Sequence, residues 1–184
     1  MAKTERRAID KVFILLGGVA TVALIVIGSL AWYGYSFASG MVRTELSAQK
    51  IYFPAADSAA LKALPDADRT AMEKYAGQQL TDGDQARVYA NNYINVHLNK
   101  IAGGKTYAEV SEAAMKNPTD AKLQAQKATL FQGETLRGML LGTGYAFWTF
   151  GMIAKYAAFA AFIGALVMTI LVFAGLGHLQ KLKK

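Results

Sequence analysis

Two long stretches without charge constrain this chain more than any other feature of its sequence. Residues 12–42 contain no Asp, Glu, Lys or Arg, and Lys155 is the only such residue in 138–180. A helix needs about 20 apolar residues to cross the hydrocarbon core of a bilayer. Each stretch exceeds that length, so the sequence predicts two transmembrane helices.

The segment between these stretches is polar and almost neutral. Residues 43–137 hold twelve basic and eleven acidic side chains, although the formal net charge of the whole chain is +7. The excess of positive charge therefore lies mainly beside the predicted spans and does not form a nucleic-acid-binding face. We predict the lipid bilayer and integral membrane protein subunits as partners, and no nucleic acid.

The flanking cations predict the orientation in the cell membrane. They are Lys3, Arg6, Arg7 and Lys11 before the first span, and Lys181, Lys183 and Lys184 after the second. Short positive flanks stay in the cytoplasm, whereas a segment longer than about 60 residues is exported whatever its charge. We therefore expect a cytoplasmic basic tail at 1–11, a transmembrane helix at 12–36, a helical extracytoplasmic domain at 37–145, an interfacial segment with the second transmembrane helix at 146–178, and a cytoplasmic basic tail at 179–184.

The first stretch also has to be compared with a cleaved secretory signal. Ser36, Phe37 and Ala38 form a small-x-small sequence of the kind that signal peptidase cuts. The apolar region of a signal is usually about 7–15 residues long, and residues 12–31 already provide twenty. The length favours a retained anchor.

Aromatic and basic residues predict where the spans meet the outer surface of the membrane. Trp32 and Tyr33 end the first stretch, and Trp148, Lys155 and Tyr156 begin the second. Tryptophan and tyrosine are enriched at this boundary, and a lysine near a helix end can extend its ammonium group to the headgroups. A buried, functional Lys155 is the alternative.

Small residues recur at helical spacing in both spans. They are Gly17, Thr21 and Gly28 in the first span, and Ala157, Ala161, Gly164 and Ala165 in the second. Small side chains allow close approach of helices in lipid. The simpler interpretation is that the two helices pack on each other. We slightly favour the alternative, in which one small face receives helices of a larger complex.

The central segment is predicted to be helical, so the fold class is all-α. We expect helices at about 58–64, 66 to 77 or 80, 82–102, 106–116 and 119 onward, with a capping box from Thr106 to Glu109 and a stop at Gly103 and Gly104. On the third of these helices, the α-helical period places Ala86, Ala90, Tyr93 or Ile94, His97 and Ile101 on one face. Gly133, Gly138, Gly142 and Gly144 are expected to bend the last helix.

The chemistry available to the chain is limited. There is no cysteine, and the two histidines, His97 and His178, are expected on opposite sides of the membrane. Zinc and non-haem iron sites usually need two histidines together with a carboxylate or a third histidine. We therefore predict no catalytic residue, no cofactor and no metal, and expect that the protein is not an enzyme.

Four segments resemble an actinobacterial family of small two-pass envelope proteins. They are YFP at 52–54, YAGQQL at 75–80, GDQARVYAN at 83–91 and GETLRGMLL at 133–141. Members of this family have often been labelled aromatic ring-opening dioxygenases, an activity that requires two histidines and a carboxylate around iron, which this chain does not bring together. The resemblance implies instead an accessory subunit of the respiratory cytochrome bcc–aa3 supercomplex.

Three functions remain open from the sequence. The leading hypothesis is a non-catalytic accessory or assembly subunit of a larger membrane complex. The second is a membrane-anchored ligand-binding or sensory envelope protein, whose apolar pocket would be lined by Tyr75, Tyr89, Tyr93, Tyr107 and Phe131. The same rings could instead be part of the hydrophobic core, and we prefer this interpretation. The third is an enzyme built on His97 and nearby carboxylates.

Overall fold

A computed structural model describes residues 3–181, except for the side chains of Lys3 and Thr4. Its helices are α1 (Lys3–Ala48), α2 (Ala59–Lys62), α3 (Asp66–Glu73), α4 (Gly83–Val88), π1 (Tyr89–Ile94), α5 (Asn95–Ala102), α6 (Tyr107–Lys116), α7 (Ala121–Met139), π2 (Leu140–Ala146) and α8 (Phe147–Lys181). No strand occurs in this described part, so the predicted all-α class is confirmed. The tail residues Lys183 and Lys184 lie outside the described residues.

The described chain divides into two compact units. Residues 3–37 and 150–181 form one unit, here called the hairpin, and residues 38–149 form the other, here called the central domain. Two helical stretches, Glu5–Ala48 and Ala121–Lys181, are long and apolar enough to cross a membrane. Their most apolar windows are only 11% and 17% buried, whereas the core helix of a soluble protein is mostly buried.

The possible signal-cleavage site lies inside α1. The helix continues through Ser36 and Ala38 as far as Ala48. Beyond the site, Val42 and Leu46 are 3% exposed and belong to the core of the central domain. Cleavage at this site would divide a continuous helix.

Short polar motifs begin the helices of the central domain. Asp82 accepts from the backbone N–H of Gln85, while the Gln85 side chain accepts from the backbone N–H of Asp82, which makes a capping box. Thr106 and Glu109 form the capping box that the sequence predicts. Such reciprocal bonds satisfy backbone donors that have no partner within the helix.

The helix that begins at Asp66 is shorter than predicted. It ends at Glu73 instead of reaching 77 or 80. Gly77 has a φ of +70°, and the following residues pair with the segment after α1, with Phe53 N–H donating to Gln78 O at 2.9 Å and Leu80 N–H donating to Ile51 O at 2.9 Å. This long-range pairing takes the backbone groups that a longer helix would have used.

A π turn changes the buried face of the helix from Gly83 to Ala102. Beside Gly83, Gln85 and Val88 near its start, it buries a series with a constant spacing of four: Ala86, Ala90, Ile94, Leu98 and Ala102. An α-helix rotates such a series around its axis, by about 40° at each step, and the wider π1 segment compensates for that rotation. Of the residues that the α-helical period placed on one face, Ala86, Ala90 and Ile94 are buried, while His97 is half-buried and Ile101 is 40% exposed.

Glycines allow close packing in the core of the central domain. A Cβ on Gly133 would collide with the side chain of Leu98, and one on Gly144 would lie 3.1 Å from Cβ of Ala86. The core itself is formed by Val42, Leu46, Phe53, Leu61, Leu64, Met72, Leu80, Ala86, Val88, Ala90, Ile94, Leu98, Ala102, Val110, Leu130 and Leu140. Full burial of each larger aliphatic side chain contributes roughly 1.5–3 kcal/mol. Because they lack a Cβ, Gly133 and Gly144 allow the helices of the central domain to pack closely.

Candidate functional site: the apolar hairpin and the central domain

Two glycines of α1 lie at the contact between the helices of the hairpin. A Cβ on Gly17 would lie 2.8 Å from Cγ2 of Val172, and a Cβ on Gly28 would lie 2.7 Å from Cε1 of Phe162. Both glycines are buried. A larger side chain at either position would require the side chain of Val172 or Phe162 to move, so the two glycines allow close contact between α1 and α8.

Thr21 lies on the same face of α1 and is half-buried. Its hydroxyl donates to the carbonyl oxygen of Gly17 at 2.8 Å. The polar group is thus satisfied within its own helix, as is usual for threonine in an apolar environment. Thr21 contributes a small surface to the contact and no hydrogen bond between the helices.

The facing residues of α8 follow a seven-residue spacing. Gly151, Ala158 and Ala165 are buried, together with Ala161. A Cβ on Gly164 would lie 3.4 Å from Cδ1 of Leu24. Ala157, predicted as a helix-packing residue, is exposed and does not belong to the contact within the hairpin. A four-residue spacing moves around an α-helix by about 40° per step, so Ala158 takes the place expected for Ala157.

The aromatic residues predicted at the membrane interface have different environments. In the hairpin, Trp32 packs edge-on against Phe159, with ring centroids 5.8 Å apart, while Tyr33 and Tyr156 are 70% and 65% exposed. Trp148 belongs to the central domain, where it packs against the core. A Cβ on Gly83 would lie 2.5 Å from Cβ of Trp148. Trp148 therefore has a packing role that Tyr33 and Tyr156 do not have.

Lys155 is half-buried in the hairpin. Its Nζ lies 5.2 Å from the ring centroid of Tyr35, within the range in which an ammonium group is attracted to an aromatic face. This contact stabilises the lysine beside the aromatic cluster of α1 and favours an anchoring role over a catalytic one.

The five rings proposed for a ligand pocket fall into two groups. Tyr75, Tyr89 and Tyr93 pack against the core, and the Tyr89 and Tyr93 centroids are 5.1 Å apart. Tyr107 and Phe131 pair with each other at 5.8 Å and are 36% and 58% exposed. Only the first group belongs to the core cluster, so the five rings do not line one shared pocket.

Burial of the core tyrosines affects their acidity. Desolvation raises the pKa of Tyr89, and the neighbouring Tyr93 raises it further. Desolvation also raises the pKa of Tyr75, helped by the carboxylates of Asp84 and Asp82. Both rings therefore remain neutral phenols at physiological pH and act as apolar packing groups with one polar atom each.

The two histidines have unrelated surroundings. In the central domain, Nδ1 of His97 lies 2.8 Å from the carbonyl oxygen of Tyr93. A carbonyl can only accept, so Nδ1 carries the proton in this contact. In the hairpin, Nε2 of His178 lies 3.9 Å from Oδ2 of Asp10. Among the residues that the structure describes, no three His, Asp or Glu side chains converge in a way that could hold a metal ion.

Arg137 is a structural residue that the sequence did not single out. It is held against π1 by two donated hydrogen bonds, to Ala90 O and to Asn91 Oδ1. Ala90 and Arg137 are 47 positions apart, so no local sequence pattern predicts their contact. The packing of α7 on π1 brings the two residues together.

Comparisons with known proteins give no family assignment. No protein-family model matches the sequence, and neither a curated protein nor a solved structure matches it.

Proposed function

We propose that this chain is a two-pass membrane protein and a non-catalytic accessory or assembly subunit of a larger membrane complex. Both termini lie in the cytoplasm, and the central domain lies outside the cell membrane. The resemblance stated above makes the actinobacterial bcc–aa3 oxidase supercomplex the first complex to test.

One observation supports the membrane placement most strongly. Large apolar side chains cover the outward faces of the hairpin, and Phe13, Leu30 and Phe173 are 69%, 67% and 68% exposed. Soluble proteins rarely expose continuous apolar patches larger than a few hundred Å². In a bilayer, the acyl chains of the lipids would cover these faces and keep them from contact with water.

The accessory role is supported by how the polar groups of the described residues are used. His97 contacts a backbone carbonyl, and the acidic side chains Asp82, Glu109 and Asp120 accept hydrogen bonds from backbone N–H groups at helix starts. These carboxylates are engaged in capping, which stabilises the fold. A brace or assembly factor needs a packed domain and an anchor, and the buried core and the two long apolar helices support this proposal.

Co-purification tests this proposal directly. The chain, carrying a C-terminal affinity tag, is expressed at its native level and purified in a mild detergent. We expect haem-containing oxidase subunits to be recovered, detected by haem absorption and by mass spectrometry, and to be absent from a parallel preparation with the untagged chain. Recovery of the chain alone would contradict the proposal.

A second measurement separates an accessory role from a catalytic one. Deletion of the chain is expected to reduce the amount of assembled complex, while turnover per haem in the remaining complex stays unchanged. His97→Ala is expected to have no effect on either quantity. A loss of turnover in the fully assembled His97→Ala complex would favour an enzyme.

A further inference from the structure

The central domain contains an apolar groove that its own side chains leave open. It lies between the end of α1 and the π2 segment, and its volume is about 400 Å³. Met41, Glu45 and Gln49 line one wall, and Met139, Gly142 and Phe147 line the other. This volume lies within the range of about 300–1,000 Å³ that is usual for small-ligand sites.

The walls of the groove are apolar and adaptable. Met41 and Met139 are 49% and 55% exposed, and methionine side chains adjust easily to the shape of a ligand. A Cβ on Gly142 would meet no atom within 4 Å. Space is therefore available at the middle of the groove for an apolar chain to lie against the helix backbone.

The rim of the groove carries an uncompensated negative charge. Glu45 lines it and is exposed, and no ion pair joins Glu45 to any other residue in the described part of the chain. Gln49, in the turn directly after α1, adds an exposed amide. A ligand that combines an apolar chain with a cationic, hydrogen-bond-donating head would complement both parts of the groove.

We propose that this groove binds one acyl chain of a phospholipid whose headgroup carries a primary ammonium, with the ammonium donating to the Glu45 carboxylate. The inference rests on the proposed membrane placement, because both walls belong to helices that continue into the apolar spans. The part of the wall that belongs to α1, from Met41 to the helix end, is about 10 Å long at 1.5 Å per residue. A groove of this length can hold part of one acyl chain, whereas a protein partner usually needs a contact that buries at least 1,200 Å².

Photo-crosslinking with defined lipids tests the site. The full chain is placed in nanodiscs that contain a lipid with a photoreactive acyl chain and an ethanolamine, choline or glycerol headgroup. We expect peptides containing Met41 and Met139 to carry most of the adducts, with the ethanolamine lipid preferred by about threefold, the scale of one exposed ion pair.

Three variants make the test specific. Gly142→Leu fills the groove and is expected to abolish these adducts, while Gly138→Leu, at an equally open glycine outside the lining, leaves them unchanged. Glu45→Gln keeps the shape of the groove and is expected to remove the headgroup preference. Circular dichroism checks that each variant is folded.

The outcomes that overturn the lipid site are distinct from those that overturn the membrane placement. Equal labelling of the wild-type and Gly142→Leu chains, or adducts spread evenly over the hairpin, would overturn the site. So would crosslinks in native membranes that join these peptides to another protein and to no lipid. Flotation with the membrane fraction is measured on the same samples, and a chain that stays in the aqueous fraction would overturn the placement itself.

Discussion

Arg137 donates a hydrogen bond from Nε to the carbonyl oxygen of Ala90, across 3.2 Å. The same carbonyl accepts from the backbone N–H of Asn95, five residues further on, which is the bond that defines a π turn. A second guanidinium nitrogen donates to Asn91 Oδ1 at 3.4 Å, and a third forms an ion pair with Glu134 at 2.7 Å. Arg137 thus fastens α7 to the π1 segment.

Replacing Arg137 is expected to weaken this attachment. Arg137→Leu removes both donated bonds to π1 and should destabilise the central domain by about 1.5–3 kcal/mol, the usual value for a hydrogen bond that involves a charged group. Arg137→Lys should recover only part of the loss, because an ammonium lacks the planar fork. Faster hydrogen exchange in residues 95–102 would report the effect. Arg43→Leu, at an exposed arginine, is the control, and equal exchange in both variants would contradict this role.

Gly83 is expected to tolerate no side chain. A Cβ there would lie 2.5 Å from Cβ of Trp148 and 2.7 Å from its Cγ. Gly83→Ala should therefore destabilise the central domain by about 1–3 kcal/mol through overpacking. Gly138→Ala is the matched control, since nothing lies near its Cβ position, and it should stabilise α7 by about 0.5–1 kcal/mol. Denaturant unfolding in detergent measures both, and an unchanged Gly83→Ala chain would refute the contact.

The helix starts could be predicted from the sequence because their signals are local. The capping box from Thr106 to Glu109 and the stop at Gly103 depend on residues within one turn of each other. The π turn could not be predicted, since it depends on long-range packing such as that of Leu98 against Gly133 of α7. With this turn, Leu98 and Ala102 are buried, whereas Tyr93 and His97 are half-buried and Ile101 is exposed.

The small-residue face of α8 could also be predicted only in part from the sequence. A repeat of alanines every four residues identifies a helix with a small face, but the partner helix decides which of two neighbouring alanines is buried. The structure buries Ala158 and leaves Ala157 exposed. The groove at Met41 and Met139 could not be predicted either, because it is formed by segments almost 100 positions apart.

The capping box of α6 is expected to weaken in acid. Glu109 accepts from the backbone N–H and the hydroxyl of Thr106 at 2.7 and 2.8 Å, and these bonds lower its pKa. A carboxyl group whose pKa is lower in the folded state stabilises that state above the unfolded pKa, about 4.3 for glutamate. The stabilisation is then lost as the pH falls through the lower, folded value.

Nuclear magnetic resonance can follow this titration in the full chain. The carboxyl carbon of Glu109 should titrate at lower pH than that of an unfolded reference peptide, and the exchange protection of α6, after correction for intrinsic rates, should fall below that pH. Glu109→Gln keeps an acceptor at the same position, so the corrected protection of α6 should not depend on pH in this range. An ordinary glutamate titration at Glu109 would contradict the capping geometry.

Two neighbouring alanines separate packing within the hairpin from packing with a partner. Ala158→Leu should overpack the contact between α1 and α8 and destabilise the hairpin by about 1–3 kcal/mol. Ala157→Leu should leave hairpin stability unchanged, because the side chain is exposed. If the outward small face receives helices of a larger complex, Ala157→Leu should also reduce co-purification of the partner subunits. Full recovery of those subunits with Ala157→Leu would contradict a partner contact at this face, and the small residues would then serve only the contact between α1 and α8.

The absence of cysteine makes the membrane arrangement directly measurable. Single cysteines are introduced at Glu112 in the central domain and at Lys181 after the second apolar stretch, and intact cells are treated with a thiol reagent that cannot cross the membrane. We predict labelling of Glu112→Cys in intact cells and of Lys181→Cys only after the cells are permeabilised. Labelling of Lys181→Cys alone in intact cells would reverse the orientation, and labelling of both would contradict the two-pass arrangement.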